Sequence, residues 1–178
     1  MNPATNINND DELILRCIRQ DRVAQQELYE KYKRALYTRA FRMINNKEYA
    51  HDVLQESFIE IFHDLKNYRG DSGLFSWMKT IVYRKSLLHI KVENRFKEYE
   101  SERYDDEIAW RDDLTAEYLD KAIKNLPDGY RAVFILAEVD GYRHKEIAEL
   151  MGIAEGTSKS QLYQAKKQLQ KILHELKP

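Results

Sequence analysis

The sequence predicts an all-α protein: two small helical domains joined by an acidic linker, the second a four-helix unit ending in a helix-turn-helix. Apolar residues recur at three- and four-residue spacings along most of the 178 residues, the period of a helix with one buried face. The 6 glycines and 3 prolines are few, and no stretch alternates as a strand would. Between Glu93 and Asp113 the composition changes. There Glu93, Glu98, Glu100, Glu102, Asp105, Asp106, Glu107, Asp112 and Asp113 face only Arg95, Lys97, Arg103 and Arg111. Such a block reads as a connector.

Residues 1–9 are polar and are expected to form a disordered tail. The first domain spans 10–92. Asp10 or Asp11 caps a helix with apolar positions Leu13, Ile14, Cys17 and Ile18. Asp21 opens a second, whose buried stripe is Val23, Leu28, Tyr29, Tyr32, Leu36, Tyr37 and Phe41, until Asn45-Asn46 breaks it. A third runs from near Lys47 to about Leu65, with Val53, Leu54, Phe58, Ile61, Phe62 and Leu65 facing inward. Its outer face carries Asp52, Glu56 and Glu60 at four-residue steps, with Gln55 beside them. Like charges at that spacing repel by a few tenths of a kcal/mol per pair. The stripe is either an ordinary solvated face or a docking surface for a basic partner.

Tyr68-Arg69-Gly70-Asp71-Ser72-Gly73 is a loop. The helix after it, about Leu74 to Lys91, interleaves Phe75, Trp77 and Tyr83 with Lys79, Arg84, Lys85 and Lys91, and no acid falls between Gly73 and Val92. Aromatic faces beside cations suit single-stranded nucleic acid, whose bases stack while its backbone follows the charges. The alternative is that Trp77, Ile81 and Leu88 are core, with Trp77 at least partly buried.

Residues 93–113 are the linker, and 114–178 the second domain. Leu114, Leu119, Ile123 and Leu126 mark a helix ended by Pro127-Asp128-Gly129, and Tyr130 to Val139 another. Asp140-Gly141 then turns into a helix with Ile147, Ala148, Leu150 and Met151, closed by Gly152. After the corner Ile153–Gly156, the last helix has Leu162, Ala165, Leu169, Ile172 or Leu173, and Leu176 on one face. Lys159, Ser160, Gln161, Gln164, Lys166, Lys167 and Lys171 occupy the other. Two helices at a tight turn, the second basic and rich in hydrogen-bonding groups, suit a DNA major groove. Arg143 and Ala154 are poor N-caps, each forgoing about 1 kcal/mol.

A mean hydropathy of −0.72 and the lack of any apolar run near the roughly 20 residues that cross a bilayer predict no membrane span. The N-terminus lacks the basic and apolar blocks of a signal peptide, so a cytoplasmic protein is expected. Cys17 is the single cysteine, and the five histidines have no metal spacing. No phosphate loop or nucleophile elbow occurs, so neither an enzyme nor a cofactor is expected. A net charge of −1 argues against nonspecific nucleic-acid binding by the whole chain.

Several segments, in order, resemble one family. They are His51-Asp52-Val53-Leu54-Gln55-Glu56-Ser57-Phe58, Tyr68-Arg69-Gly70-Asp71 followed by Phe75-Ser76-Trp77, Leu126-Pro127 and Tyr130-Arg131-Ala132-Val133-Phe134. Glu146-Ile147-Ala148-Glu149-Leu150-Met151-Gly152-Ile153, Glu155-Gly156-Thr157, Lys159-Ser160 and Leu162 complete the set. From about Asp11 to Leu173 the chain is similar to the extracytoplasmic-function sigma factors of bacterial RNA polymerase.

The resemblance implies that 10–92 is a sigma region 2 domain and 114–178 a sigma region 4 domain. Asp52, Gln55 and Glu56 would dock on a coiled coil of core RNA polymerase. Arg69, Phe75, Trp77, Lys79, Arg84, Lys85 and Lys91 would open the minus-ten element and hold its non-template single strand. Thr157, Lys159, Ser160, Gln161, Tyr163, Gln164 and Lys167 would read the minus-thirty-five duplex, with Gln161 or Gln164 suited to adenine. Lys159, Lys166 and Lys167 would take phosphates. The resemblance further implies an anti-sigma factor that clamps the two domains.

The chain departs from the family at several positions. Arg84 stands where Asn is frequent and Leu88 where Asp is. Gln161 and Gln164 replace frequent Arg, and Ser158 replaces an apolar residue, leaving a weaker core contact or a hydroxyl to satisfy. Weak DNA binding by the free protein follows. Two other readings are a stand-alone helix-turn-helix repressor, with an N-terminal sensing or dimerisation domain, and an all-helical adaptor.

Overall fold

A computed structural model describes residues 9–92 and 116–175. The expected tail, the linker 93–113, Leu114 and Leu176 lie outside the described residues or touch them only at Asn9. The described residues are helical, without a strand: α1 Asn9–Ile18, α2 Arg22–Ile44, α3 Lys47–Asp64, α4 Leu74–Val92, α5 Ala116–Lys124, α6 Asp128–Phe134, α7 His144–Met151 and α8 Glu155–Glu175. A 3₁₀ turn, Leu65–Asn67, prolongs α3, and a π-helical stretch, Ile135–Val139, prolongs α6. Contacts gather the described residues into two units, 9–41 with 47–85, and 42–46 with 86–92 and 116–175.

In the first unit α1 ends at Gln20, in left-handed geometry (φ 61°), and Asp21 restarts the chain. Asp21 Oδ1 accepts the Val23 and Ala24 N–H groups at 2.9 and 3.2 Å, the bonds an N-cap makes. The core takes Leu13 and Cys17 from α1, Ala24, Leu28, Leu36 and Ala40 from α2, Val53, Leu54, Phe58 and Ile61 from α3, and Met78, Ile81 and Val82 from α4. Tyr29 meets Phe58 edge-on at 4.7 Å, joining α2 to α3.

The expected α2 stripe needs one correction: Val23 is 70% exposed, while Ala24 is fully buried. The four-residue ladder inward is Ala24–Leu28, then Leu36–Ala40, and Val23 lies about 100° off it in the first turn. Leu88, one of the candidate core residues of α4, is likewise exposed.

The second unit packs α5, α6 and α7 against α8. Its core is Ala122, Leu126, Tyr130, Val133, Phe134, Leu136, Ile147, Met151, Leu162, Ala165, Leu169 and Leu173; of the pair Ile172 and Leu173, it is Leu173 that is buried. Helix α6 begins two residues before the expected Tyr130. The Asp140 N–H reaches back to the Ile135 carbonyl at 3.1 Å, a five-residue step that widens the helix there. Arg131 is buried, donating to the Leu126 carbonyl at 2.7 Å and pairing with Asp128.

Candidate nucleic-acid and protein interfaces

Helix α3 buries Val53, Leu54, Ser57 and Phe58, which turns Asp52, Gln55 and Glu56 outward, all exposed. Positions 52, 55, 56 and 59 share one face at helical spacing, and Ile59 stands among the acids, 71% exposed. Asp52 and Glu56 have no ion-pair partner among the described residues. Glu60, the third acid of the stripe, instead pairs with Lys85 of α4 at 2.9 Å.

That pairing divides the residues expected on the aromatic and cationic helix. Lys85 turns to α3, and Phe75 stacks on Tyr32 of α2 with centroids 6.1 Å apart. Tyr83 is fully buried. Trp77 and Arg84, seven residues apart, fall on a common stripe, and Lys91 continues it a further seven on. Trp77 is half-buried, its ring 5.4 Å from that of Tyr68, while Arg84 and Lys91 are exposed. Arg69 is exposed in the loop beside Tyr68, whose hydroxyl bonds the Ser72 carbonyl. Gly70 has φ 77°, a geometry glycine takes without strain. Lys79 is half-buried. The α4 segment is thus open along one stripe.

The helix-turn-helix closes as its residues predict at Gly152, which sits at φ 68° and ψ 39°, and the Ile153 N–H bonds the Ala148 carbonyl at 3.1 Å. At the start of α7 the weak cap Arg143 is supported from within the helix. The Glu146 carboxylate accepts the Arg143 N–H at 2.7 Å, half of a capping box, legible as a Glu three residues on. Ser158, the polar residue in an apolar position, is buried, and its Oγ lies 2.9 Å from His144 Nδ1. The hydroxyl is satisfied and ties α7 to α8. Burial pushes the His144 imidazole below its ordinary value, and nearby Lys159 acts in the same direction.

On α8, Lys159 and Lys167 are exposed, while Thr157, Tyr163 and Gln164 are half-buried. Gln164 and Lys167 line one concavity with Gln168 and Lys171. Ser160 and Gln161 are buried. The Ser160 hydroxyl bonds the Thr157 carbonyl at 3.1 Å, and Gln161 is 3% exposed, with a buried Oε1 that has no hydrogen-bond partner among the described residues. Two cations are engaged: Lys159 with Glu155 and Lys166 with Glu138, each at 2.8 Å. Lys159 also draws the Glu155 carboxyl below its usual range, by its hydrogen bond first and its charge second. Cys17, in the other unit, is buried, and that burial pushes its thiol up to about 11, well short of reactivity. Among the described residues no group of side chains could hold a metal ion, and no helix is long and apolar enough to cross a membrane.

Two family models match in succession: Sigma-70 region 2 over residues 28–96 and Sigma-70, region 4 over residues 116–169. The RNA polymerase sigma-H factor of Pseudomonas aeruginosa is 27% identical, over 94% of this chain and 95% of the relative. The ECF RNA polymerase sigma factor SigM of Mycobacterium tuberculosis is 27% identical over 93% of this chain and 85% of that one. The fold is also that of the sigma factor RpoE from Bartonella quintana, solved in complex with the anti-sigma factor NepR. The TM-score is 0.52 at 20% identity, covering 85% of this chain and 98% of RpoE. The chain therefore belongs to the sigma-70 family of RNA polymerase sigma factors, within its extracytoplasmic-function group.

Proposed function

We propose that the chain directs core RNA polymerase to specific promoters in the cytoplasm and helps to open them, working by binding alone. Residues 10–92 and 114–178 would be its two working domains. The observation that carries this reading is the sorting of exposed charge by helix: Asp52 and Glu56 on α3, Arg84 and Lys91 on α4, and Lys159 and Lys167 on α8. Asp52, Gln55 and Glu56 would meet a basic helix of the polymerase. Arg69, Trp77, Arg84 and Lys91 would follow the minus-ten strand once it separates. Opening the duplex costs a few kcal/mol of unstacking, and stacking on Trp77 would offset part of it.

In the second unit Lys159 and Lys167 would hold phosphates while Gln164, rather than the buried Gln161, reads a base edge. An anti-sigma partner is the natural inhibitor, since RpoE of the same fold was solved with one. A stand-alone repressor has no place for the region 2 match over the N-terminal half. The test is transcription from a genomic library with reconstituted core polymerase, with start sites mapped. Added protein should produce a defined set of starts absent with core alone. No start above the core-only background would sink the reading.

A further inference from the structure

Outside these surfaces the first unit holds a cavity of about 400 Å³ between the α1–α2 turn and the end of α3. Cys17, Ile18 and Phe62 give its apolar lining, and Gln20, Arg22, Gln25, His63 and Lys66 its polar lining. Neither Arg22 nor Lys66 has an ion-pair partner among the described residues. The acids closest in sequence are already committed. Asp21 is taken by Arg16 at 3.0 Å and by two backbone N–H groups, and Asp64 lies 2.7 Å from His63 Nδ1. The lining thus holds two cations and no carboxylate.

A second observation points the same way. Gln20 holds a left-handed backbone at φ 61°, which costs a residue with a Cβ about 1 kcal/mol and glycine nothing. Gln20 is itself one of the residues that line the cavity. Guanidinium, ammonium and two amides supply donors in the number and charge that a doubly charged oxyanion accepts. The apolar lining asks for a small carbon body, and the volume falls in the range of small-molecule sites.

We propose that this cavity binds a small phosphate monoester, with Arg22 and Lys66 on the phosphate oxygens, the amides of Gln20 and Gln25 beside them, and an aromatic or short aliphatic body on Cys17, Ile18 and Phe62. The proposal does not depend on the promoter reading, because none of these residues belongs to the α3, α4 or α8 faces assigned there.

The experiment is a titration of the full chain with phenyl phosphate, followed by amide chemical shifts. Saturable shifts should be confined to residues 17–25 and 62–66. Inorganic phosphate, which lacks the body, and phenol, which lacks the charge, should each bind at least tenfold more weakly. Arg22→Gln and Lys66→Gln should each raise the dissociation constant about fivefold, and the double variant should show no saturation, all with an unchanged melting temperature. Undiminished binding by the double variant, or shifts confined to the lysines of α4 and α8, would overturn the site. Inorganic phosphate binding as tightly as phenyl phosphate would overturn it too, since the apolar lining would then contribute nothing.

Discussion

The outer faces of α3 and α8 are both polar, yet their charges are held in opposite ways. On α3, Asp52 and Glu56 are exposed and have no ion-pair partner among the described residues. On α8, Lys159 and Lys166 are each tied to an acid of the same unit, Glu155 and Glu138, while Lys167 and Lys171 have no ion-pair partner among the described residues. An unpaired acidic stripe repels itself until an outside cation arrives. On the cationic face a phosphate competes with internal acids for Lys159 and Lys166 but not for Lys167 and Lys171. If the two faces bind as proposed, the α3 acids meet a cation with nothing to give up, whereas two lysines of α8 first exchange surface ion pairs worth about 0–1 kcal/mol each.

Reversing a charge on the α3 side should have the largest effect. Asp52→Arg places a cation against the proposed basic partner, and like-charge juxtaposition of that kind costs about 2 kcal/mol or more, roughly 30-fold in affinity. Core-polymerase affinity measured by fluorescence should fall accordingly, while binding of a minus-thirty-five duplex by the free chain stays unchanged. Asp52 is exposed, so the melting temperature should hold. Equal loss of both binding activities would show that the two faces do not act separately.

Releasing the paired lysines of α8 comes next. Glu155→Gln with Glu138→Gln frees Lys159 and Lys166, and each freed lysine that reaches a phosphate steepens the salt dependence of duplex binding by about 0.9. At low salt the affinity should rise about tenfold. Glu155 lies in the first turn of α8, where an acid also favours the helix by about 0.3–1 kcal/mol, so a small fall in melting temperature accompanies the gain. An unchanged salt slope would show that these lysines never reach the phosphates.

The contrast between the two faces shows where sequence reading succeeds. Helix order, the Gly152 corner and the outward turn of Asp52, Gln55 and Glu56 follow from a 3.6-residue period, which is a local property. Charge pairing is not local in that sense. Nothing in the spacing of Lys85 or Lys166 says that Glu60 or Glu138 comes within 3 Å, because those partners arrive through the tertiary fold. Gln161 looked outward by composition, yet it lies beside the buried Leu162 and Ala165 edge of α8. The π-helical stretch at Ile135–Val139 changes the register by one residue and leaves no mark in composition. Val23 differs for a smaller reason: in a first turn either of two adjacent apolar residues fits the periodicity, and packing buries Ala24.

The smallest effect concerns acid, and it separates the units in another way. His144 has its pKa lowered below 6.5, first by burial and then by Lys159, with Lys166 adding to Lys159 and Glu155 and Glu138 opposing both. A group that binds protons less readily when folded contributes stability above its unfolded pKa and loses it as the pH falls below about 6.5. In the first unit the corresponding group is Asp21, lowered from 3.8 by its bond to the Ala24 N–H and then by Arg16. Its contribution persists until the pH falls below the ordinary carboxylate range. Between pH 6.5 and 5, then, the helix-turn-helix should soften while the first unit does not. Amide exchange at pH 7.5 and 5.5, corrected for intrinsic rates, should show protection falling in α7 and α8 and holding in α1 to α3. His144→Asn keeps an acceptor near Ser158 Oγ without a titrating ring, so its exchange should lose this pH difference. If both units soften together, or the Asn variant responds to acid as the parent does, the acid response of α8 does not run through His144.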